Sequence, residues 1–539
     1  MNAEPKIKTE KGIAETVFGE DERFVKLSMN RSYFFGTQYS HLRYDWDGCP
    51  TSSGDIASHL MESAGYGYGN PNDKVPLRMR RPDTKFPMGG PIVEQFSDLL
   101  FSEDRRPKPQ SANKKDQSYI RGQLQLSSFW EEVCIDLRDM GGSTGSVGLA
   151  FHYEEGELKF TILDARYTTP KFKKKNCLDV ESVTIMFLYD TVEMKAKKDS
   201  HGKTYQKPTT VTRWFKREIS AEADIMYDNP EYKKGEAPSF KVERKVSLPF
   251  RDCPVVWFHN IPLRGEFDGL PDYHLSKSLF RKIDTILSQV SKGTAYNVDP
   301  TVHIATDRQV DKLVTGSFDS IKTEANGKVN LLELRGDGIR TAMDVCEKYE
   351  QKAQLLSRCV IVAPETNDRD RVTATEIGRR DMAMFARASR LRGSYGKGLQ
   401  RLFRLLCQSA FDFQKGSIVE DEDGQVLTVR QVIEAPEGFE AMPASDRPNF
   451  TLRWGRYYQP SPAELKLIIE ALAMARSAKL LDLETCIEML SQYIAYKDPE
   501  ELMKILEEEL DKEKKEFELI RFDVGQQEDQ DEPENSEEE

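Results

Sequence analysis

The amino-acid sequence predicts an α+β chain built of several units. Three observations lead there. The chain has 539 residues, enough for roughly two to four cooperative units at about 100–200 residues each. Hydrophobic residues make up 38% and charged residues 31%, which fits thin cores with much solvated or subunit-facing surface. The apolar pattern also changes period along the chain, from helical spacing to short strand-like runs and back.

Asp116–Asp139 places Ile120, Leu124, Phe129, Val133 and Leu137 at near-helical spacing, so one amphipathic helix is expected, ended by Gly141-Gly142. The runs GLAFHY, LKFTILDA, SVTIMFLYD, TTVTRWFKRE and CPVVWFHN then follow, separated by Gly, Asp, Lys and Pro. They predict an antiparallel meander, completing an α+β region over residues 1–265. In LPDYHLSKSLFRKIDTILSQVSKGT, Leu275, Leu279, Ile283, Ile286 and Val290 share one helical face, with Pro271 at the entry and Gly293 at the exit. Such a helix is roughly 35 Å long.

Residues 294–334 turn to short β-like runs (TVHIAT, VNLLEL) around the turn signal Asn326-Gly327, a small α/β insertion. A second helix over Asp337–Arg358 aligns Ile339, Met343, Cys346, Ala353 and Leu356. The polar stretch Thr366, Asn367, Asp368, Arg369, Asp370, Arg371 has nothing apolar to bury. Thr373 and Glu376 then form a capping box for a long helix reaching FDF at 411–413. A hairpin turning at Asp423-Gly424 and the strand FTLRWGRYY come next, the latter expected to join an existing sheet. Three helices close the ordered part, two of them starting at Ser461-Pro462 and Asp498-Pro499, with Leu465, Ile468, Ile469 and Leu472 on the first, and Leu502, Ile505 and Leu506 on the last. From Asp523 to Glu539 there is no Lys or Arg, and a disordered acidic tail is expected.

Net charge is −13, and the eight cysteines form no C-x-x-C pair, which argues against a zinc ribbon and a disulfide framework and for reduced thiols. The N-terminus carries no apolar stretch of signal-peptide length, so a soluble protein is expected. The run Gly141–Gly148 is Gly-rich but lacks the Lys-Ser/Thr of a phosphate loop, and reads as a helix-to-strand turn. The seven histidines show no metal-ligand spacing, and no G-x-S-x-G elbow is present. No catalytic residue, metal or cofactor is expected. Arg379, Arg380, Arg387, Arg390, Arg392, Arg401 and Arg404 along the long helix could meet DNA phosphates or bridge carboxylates of neighbouring subunits. The subunit-interface reading is favoured, resting on Arg379, Arg380, Arg387 and Arg390.

This order of elements resembles the portal proteins of double-stranded DNA bacteriophages. The passage CPVVWFHNIPLRGEFDGLPDYHLSKSLFRKID is similar to the portal wing-to-stem transition, with Asn260, Gly269 and Asp272 in the matching roles. VTATEIGRRDMAMFARASRLRGSYGKGLQRLF is similar to the segment after the portal tunnel loop, and SPAELKLIIEALAMARSAKLLDLETCIEML to the crown entry. The first 90 residues match no such phrase.

The resemblance implies an α+β wing (1–265 and 373–458), a two-helix stem (266–293 and 335–358), a small α/β clip (294–334), a tunnel loop (359–372), a helical crown (459–518) and the acidic tail (519–539). It implies a homo-oligomeric ring, usually of about twelve subunits, at the unique capsid vertex of a virion. The ring would pass double-stranded DNA during packaging and ejection, with no membrane partner. Terminase large subunit and head-completion or adaptor proteins would dock on clip residues such as Asp307, Arg308, Lys312, Lys322, Asn326 and Lys328, and major capsid and scaffold proteins would surround it. Thr366–Arg371 would face DNA, Asp368 and Asp370 partly neutralising Arg369 and Arg371 so that the channel does not grip its cargo. A nucleic-acid-binding enzyme and a capsid scaffold protein are the competing readings.

Overall fold

A computed structural model of the chain describes residues 22–40, 46, 80–154, 157–174, 176–198, 204–233, 236–248, 250–298, 301–305, 328–332, 336–360, 381–413, 417–420, 426–430, 449–457, 462–478 and 480–490. It is a mixed helix-and-sheet chain of the α+β class. Two compact units are present: one comprising residues 1–101, 109–367 and 381–452, the other 102–108, 368–380 and 453–539.

In the first unit, helices α1 (Glu22–Phe35) and α2 (Gly89–Phe101) pack with each other and against α4 (Cys134–Thr144). On α2, Ile92, Val93, Phe96, Leu99 and Leu100 recur at helical spacing and are all buried, which is why this segment is a core helix. The single helix expected over Asp116–Asp139 is instead α3 (Lys114–Leu126), a π-helical turn at Phe129–Val133, and α4. Ser128 lies in the left-handed region at φ 48°. That kink leaves Leu126 exposed and buries Phe129, whose ring lies 4.7 Å from Phe160. Gly141 and Gly142 do not end the helix but lie inside it, and Gly145, at φ 110°, ends it.

The expected meander is divided between two sheets. Strands β2 (Ser146–Glu154) and β3 (Glu157–Asp164) form a hairpin that β9 (Val255–His259) extends, in the order β3-β2-β9. Val255–Phe258 are all buried, since β9 is covered on both faces, one of them by the long helix. The larger sheet runs β13-β12-β8-β7-β6-β5-β4, with β4 (Thr168–Lys173), β5 (Asn176–Lys198), β6 (Thr204–Ser220), β7 (Ala223–Tyr227) and β8 (Val242–Ser247). The later hairpin β12 (Ser417–Glu420) and β13 (Val426–Arg430) joins it through β8; its turn at Asp423-Gly424 lies outside the described residues. Ala150, Leu163, Val183, Ile185, Ile219 and Trp257 form the apolar cluster between the sheets. Strand β1 (Lys108–Ser111) pairs with β14 (Phe450–Arg453), the strand expected to join an existing sheet; its partner is this isolated strand.

Helices α5 (Lys277–Val298) and α6 (Gly336–Ser357), 22 residues each, bracket an antiparallel two-stranded ribbon of β10 (Thr301–Ala305) and β11 (Lys328–Leu332). They lie antiparallel: Ser276, just before α5, donates to the Ala353 carbonyl, Lys282 sits over the Tyr349 ring, and Gly293 faces Ile339. Gly293, expected as the exit, is therefore interior to α5, which continues one turn further against its partner.

Helix α7 (Met382–Phe413) crosses β9 at very close range. A Cβ placed on Gly398 would overlap the ring of Phe258, which is buried and stacked on Tyr395 and so has nowhere to move. Gly398→Ala should destabilise the protein by about 1–3 kcal/mol through overpacking, although alanine is the better helix former by ~1 kcal/mol. Urea unfolding measures it; unchanged or raised stability would refute the contact.

In the second unit, α8 (Pro462–Ser477) packs against α9 (Leu483–Leu490). Pro462 stands at the first helical position, and Asp482 caps α9 by accepting from the Thr485 backbone N–H at 3.4 Å. The third helix expected here and the acidic tail lie outside the described residues.

Candidate functional site

The entry to α5 gathers four segments of the first unit around one carboxylate. After β9, Asn260 donates through Nδ2 to the Leu270 carbonyl and to Asp272 Oδ1, both at 3.0 Å. The Gly269 N–H donates to Ser146 Oγ at 3.0 Å. Gly145 and Gly269 approach backbone to backbone, and a side chain on either would strike the other's carbonyl. The three residues singled out in the sequence, Asn260, Gly269 and Asp272, are thus brought together.

Asp272 is 1% exposed and its partner Arg138, on α4, is 0% exposed. Arg138 Nη2 donates to Asp272 Oδ2 at 2.7 Å, and the Gly142 carbonyl accepts from the Asp272 N–H at 2.9 Å. Gly142 has to be glycine here, because a Cβ would overlap the Arg138 guanidinium. Arg387, on α7, donates to the Asp272 carbonyl and, at 2.7 Å, to the carbonyl of Ser357 that ends α6. Its guanidinium also lies 3.6 Å from Asp272 Oδ1. One acid therefore ties α4, β9, both members of the helix pair and α7.

Burial opposes the charge of both arginines. For Arg138 the Asp272 carboxylate more than offsets burial, and its proton is held more tightly than usual. For Arg387 burial prevails and its pKa falls, since its carboxylate contact is longer. Removing the acid alone would strand two buried cations, a change that costs about 3–5 kcal/mol. Asp272→Ala should lose that much stability, while Asp272→Asn, which fills the space and keeps one acceptor oxygen although its amide N–H meets a donor on the other side, should lose less. Chemical denaturation of the two variants checks the order.

Two further anchors hold α5. Asp284, fully buried, accepts from Tyr39 OH at 2.6 Å, Gln38 Nε2 at 3.2 Å and the Phe86 N–H at 2.7 Å; burial raises its pKa. Lys277 contacts Asn30 Oδ1, and burial lowers its pKa to about 8. Between that value and the ordinary 10.5, the folded chain has released a proton the unfolded chain still holds, so stability rises with pH across this window. Relative to Lys277→Met, the wild type should therefore gain stability from pH 8 to 10. Paired urea titrations at the two values test it, and a constant difference would refute it.

Of the residues expected to face DNA, Thr366, Asn367, Asp368, Arg369, Asp370 and Arg371 lie outside the described residues, as do Asp307, Arg308, Lys312, Lys322 and Asn326 of the insertion. Lys328 opens β11, opposite Ala305. Arg379 and Arg380 also lie outside them. Arg390 is exposed on α7, whereas Arg387 is buried inside the chain and donates there to the Ser357 and Asp272 carbonyls. Arg392 donates to the Leu99 carbonyl at 3.2 Å and Arg401 lies 3.7 Å from Asp179. The junction roles of Arg138, Arg387 and Asp284 were not read from the sequence. A signal did exist: Arg138 falls in the stripe Cys134, Leu137, Gly141, and Asp284 beside Phe280 and Ile283, each a charge on an apolar helix face. Among the described residues no cluster of metal-ligating side chains is found, and no helix is long and apolar enough to cross a membrane.

No protein-family model matches the chain, and no curated protein sequence matches it.

Proposed function

We propose that the chain is the subunit of a bacteriophage portal: a ring at one capsid vertex through which double-stranded DNA is packaged and ejected. The observation that carries this reading is the antiparallel pair α5 and α6 enclosing the β10–β11 ribbon, an order of elements that supports a stem and clip. A helix pair set on a rigid α+β base is suited to stand side by side with copies of itself around an axis. The Asp272 junction fixes its angle to the base.

Exposed apolar side chains support assembly. Met343 and Leu356, on the stripe expected to be buried, are 46% and 41% exposed, and Leu355 is 75% exposed. Helix α8 likewise exposes Leu467 and Met474. Apolar surface of this kind on the stem and crown helices is interface in a ring and a liability in a monomer. In this reading terminase and adaptor proteins dock at the β10–β11 end, and capsid and scaffold proteins meet the wing. The competing nucleic-acid-binding enzyme would grip DNA with the Arg-rich helix, but Arg387, Arg392 and Arg401 are engaged within the chain.

Negative-stain imaging with native mass measurement tests the reading. A closed ring of about twelve copies with a central hole is expected; a monomer at micromolar concentration would refute it. In a packaging assay, Arg369→Ala/Arg371→Ala should change DNA packaging or retention while rings still form.

A further inference from the structure

Strands β5 and β6 outrun the sheet that contains them. Strand β4 covers β5 only as far as Ile185, and beyond it the pairing continues with β6 alone to Lys198↔Thr204. The outer part of this arm, Thr191–Lys198 with Thr204–Val211, is about 23 Å long at ~3.3 Å per residue. A two-stranded ribbon is marginally stable by itself in water, and Val192 and Met194 on it are 68% and 60% exposed.

Three observations fix which backbone groups face the open side of β5. Pro208 has no N–H and stands opposite Met194, so this pair cannot be one that exchanges hydrogen bonds across the ladder. Pro170 stands opposite Val183, so the odd-numbered Val183 turns its backbone to β6. The even-numbered Met186 donates its N–H to Tyr167 on the β4 side, at 2.9 Å. The β5–β6 register runs without a shift. Val192, Met194, Ala196 and Lys198 therefore turn N–H and C=O away from β6, to an edge where no strand lies among the described residues. The outer edge of β6 is different, for there the same parity falls on Pro208, which has no donor. One edge of the arm is blocked against pairing and the other is open.

We propose that this open edge of β5 pairs, antiparallel, with β13 of a second copy of the chain. The proposal rests on the ring reading above and names the contact between neighbours. Strand β13 is the last in the order of the same sheet, at the end opposite β4, and among the described residues nothing pairs with its far side. A sheet open at both ends joins head to tail, the kind of contact that closes into a ring. Its five residues fit within Thr191–Lys198.

Charge sets the direction. Strand β5 ends in the sequence Lys195, Ala196, Lys197, Lys198, with Lys195 already 3.1 Å from Glu231. The connection before β13 reads Asp421, Glu422, Asp423. Strand β5 ends in lysines and the acids directly precede β13 in the sequence, so antiparallel pairing sets the start of β13 against the lysine-bearing end of β5.

The test compares full-length wild type, Met194→Pro and Met194→Thr by native mass spectrometry across concentration, with circular dichroism to verify folding. Met194→Pro removes one outward N–H and leaves the β5–β6 ladder, as Pro208 already does, whereas Met194→Thr keeps the donor. The proline variant should raise the concentration for half-assembly by at least about tenfold, or about 1.4 kcal/mol, and threonine should not. Asp421→Lys/Asp423→Lys should weaken assembly, and adding Lys197→Glu/Lys198→Glu should restore it. Independently of any variant, hydrogen exchange should show amides 192, 194, 196 and 198 protected in the assembly and open in the monomer, with 193, 195 and 197 protected in both. Rings that form equally well with proline, or even-numbered amides that stay open in rings, overturn the pairing and leave the ring reading intact. A monomeric wild type overturns both. Two-fold dimers that vanish with proline mean two β5 edges meet each other, which overturns the β13 assignment.

Discussion

A carboxylate held out of water between two guanidinium groups is the constraint on which the first unit's architecture depends. Asp272 is too deeply buried to be hydrated, so its charge has to be met by Arg138 and Arg387 in fixed geometry. Those two partners come from helices 249 positions apart in the sequence, counting from Arg138 to Arg387. Meeting the charge forces α4, the end of β9, the start of α5, the end of α6 and the first turns of α7 to one point. An apolar core of the same volume would hold these elements together but would let them slide. The hydrogen bonds to the carbonyls of Ser357 and Asp272 do not.

That fixed point gives the helix pair its mechanical meaning. Both α5 and α6 emerge from it, lie antiparallel, and carry the β10–β11 ribbon at their far end. Asp284, two turns into α5, adds a second attachment to the residue 38–39 and 86 segments, so the helix is held along its lower half as well as at its foot. The far half is covered mainly by α6, and the surface left over is apolar at Met343, Leu355 and Leu356. The lower part of the pair is anchored to the rest of the first unit, and its outer part exposes these apolar side chains.

The large sheet shows the same division. Its centre packs against the smaller sheet and Leu27 of α1, with Trp257, Val183 and Ile185 between them. At its ends, and along the outer arm of β5 and β6, no further strand pairs among the described residues. Proline stands on one side of the arm and not on the other, so only the β5 side keeps its outward backbone donors.

Much of this was legible in the sequence. The α+β class, the two bracketing helices, the excursion between them, the late hairpin and the helix opening at Pro462 follow from apolar periodicity, caps and turn residues, which act over a few positions. Asn260, Gly269 and Asp272 could be named because they stand close together in the chain. The kink at Ser128, the passage of Gly141 and Gly142 through the interior of a helix, and the transfer of β9 to a second sheet could not be read. Each depends on what lies opposite in space: Phe160 for Phe129, the Arg138 guanidinium for Gly142, β2 for β9. The sequence by itself determined where helices and strands form, because that is settled by neighbours a turn or a pleat away. Only the tertiary structure decided which strand pairs with which and which charges are buried together, because those energies arise between residues hundreds of positions apart.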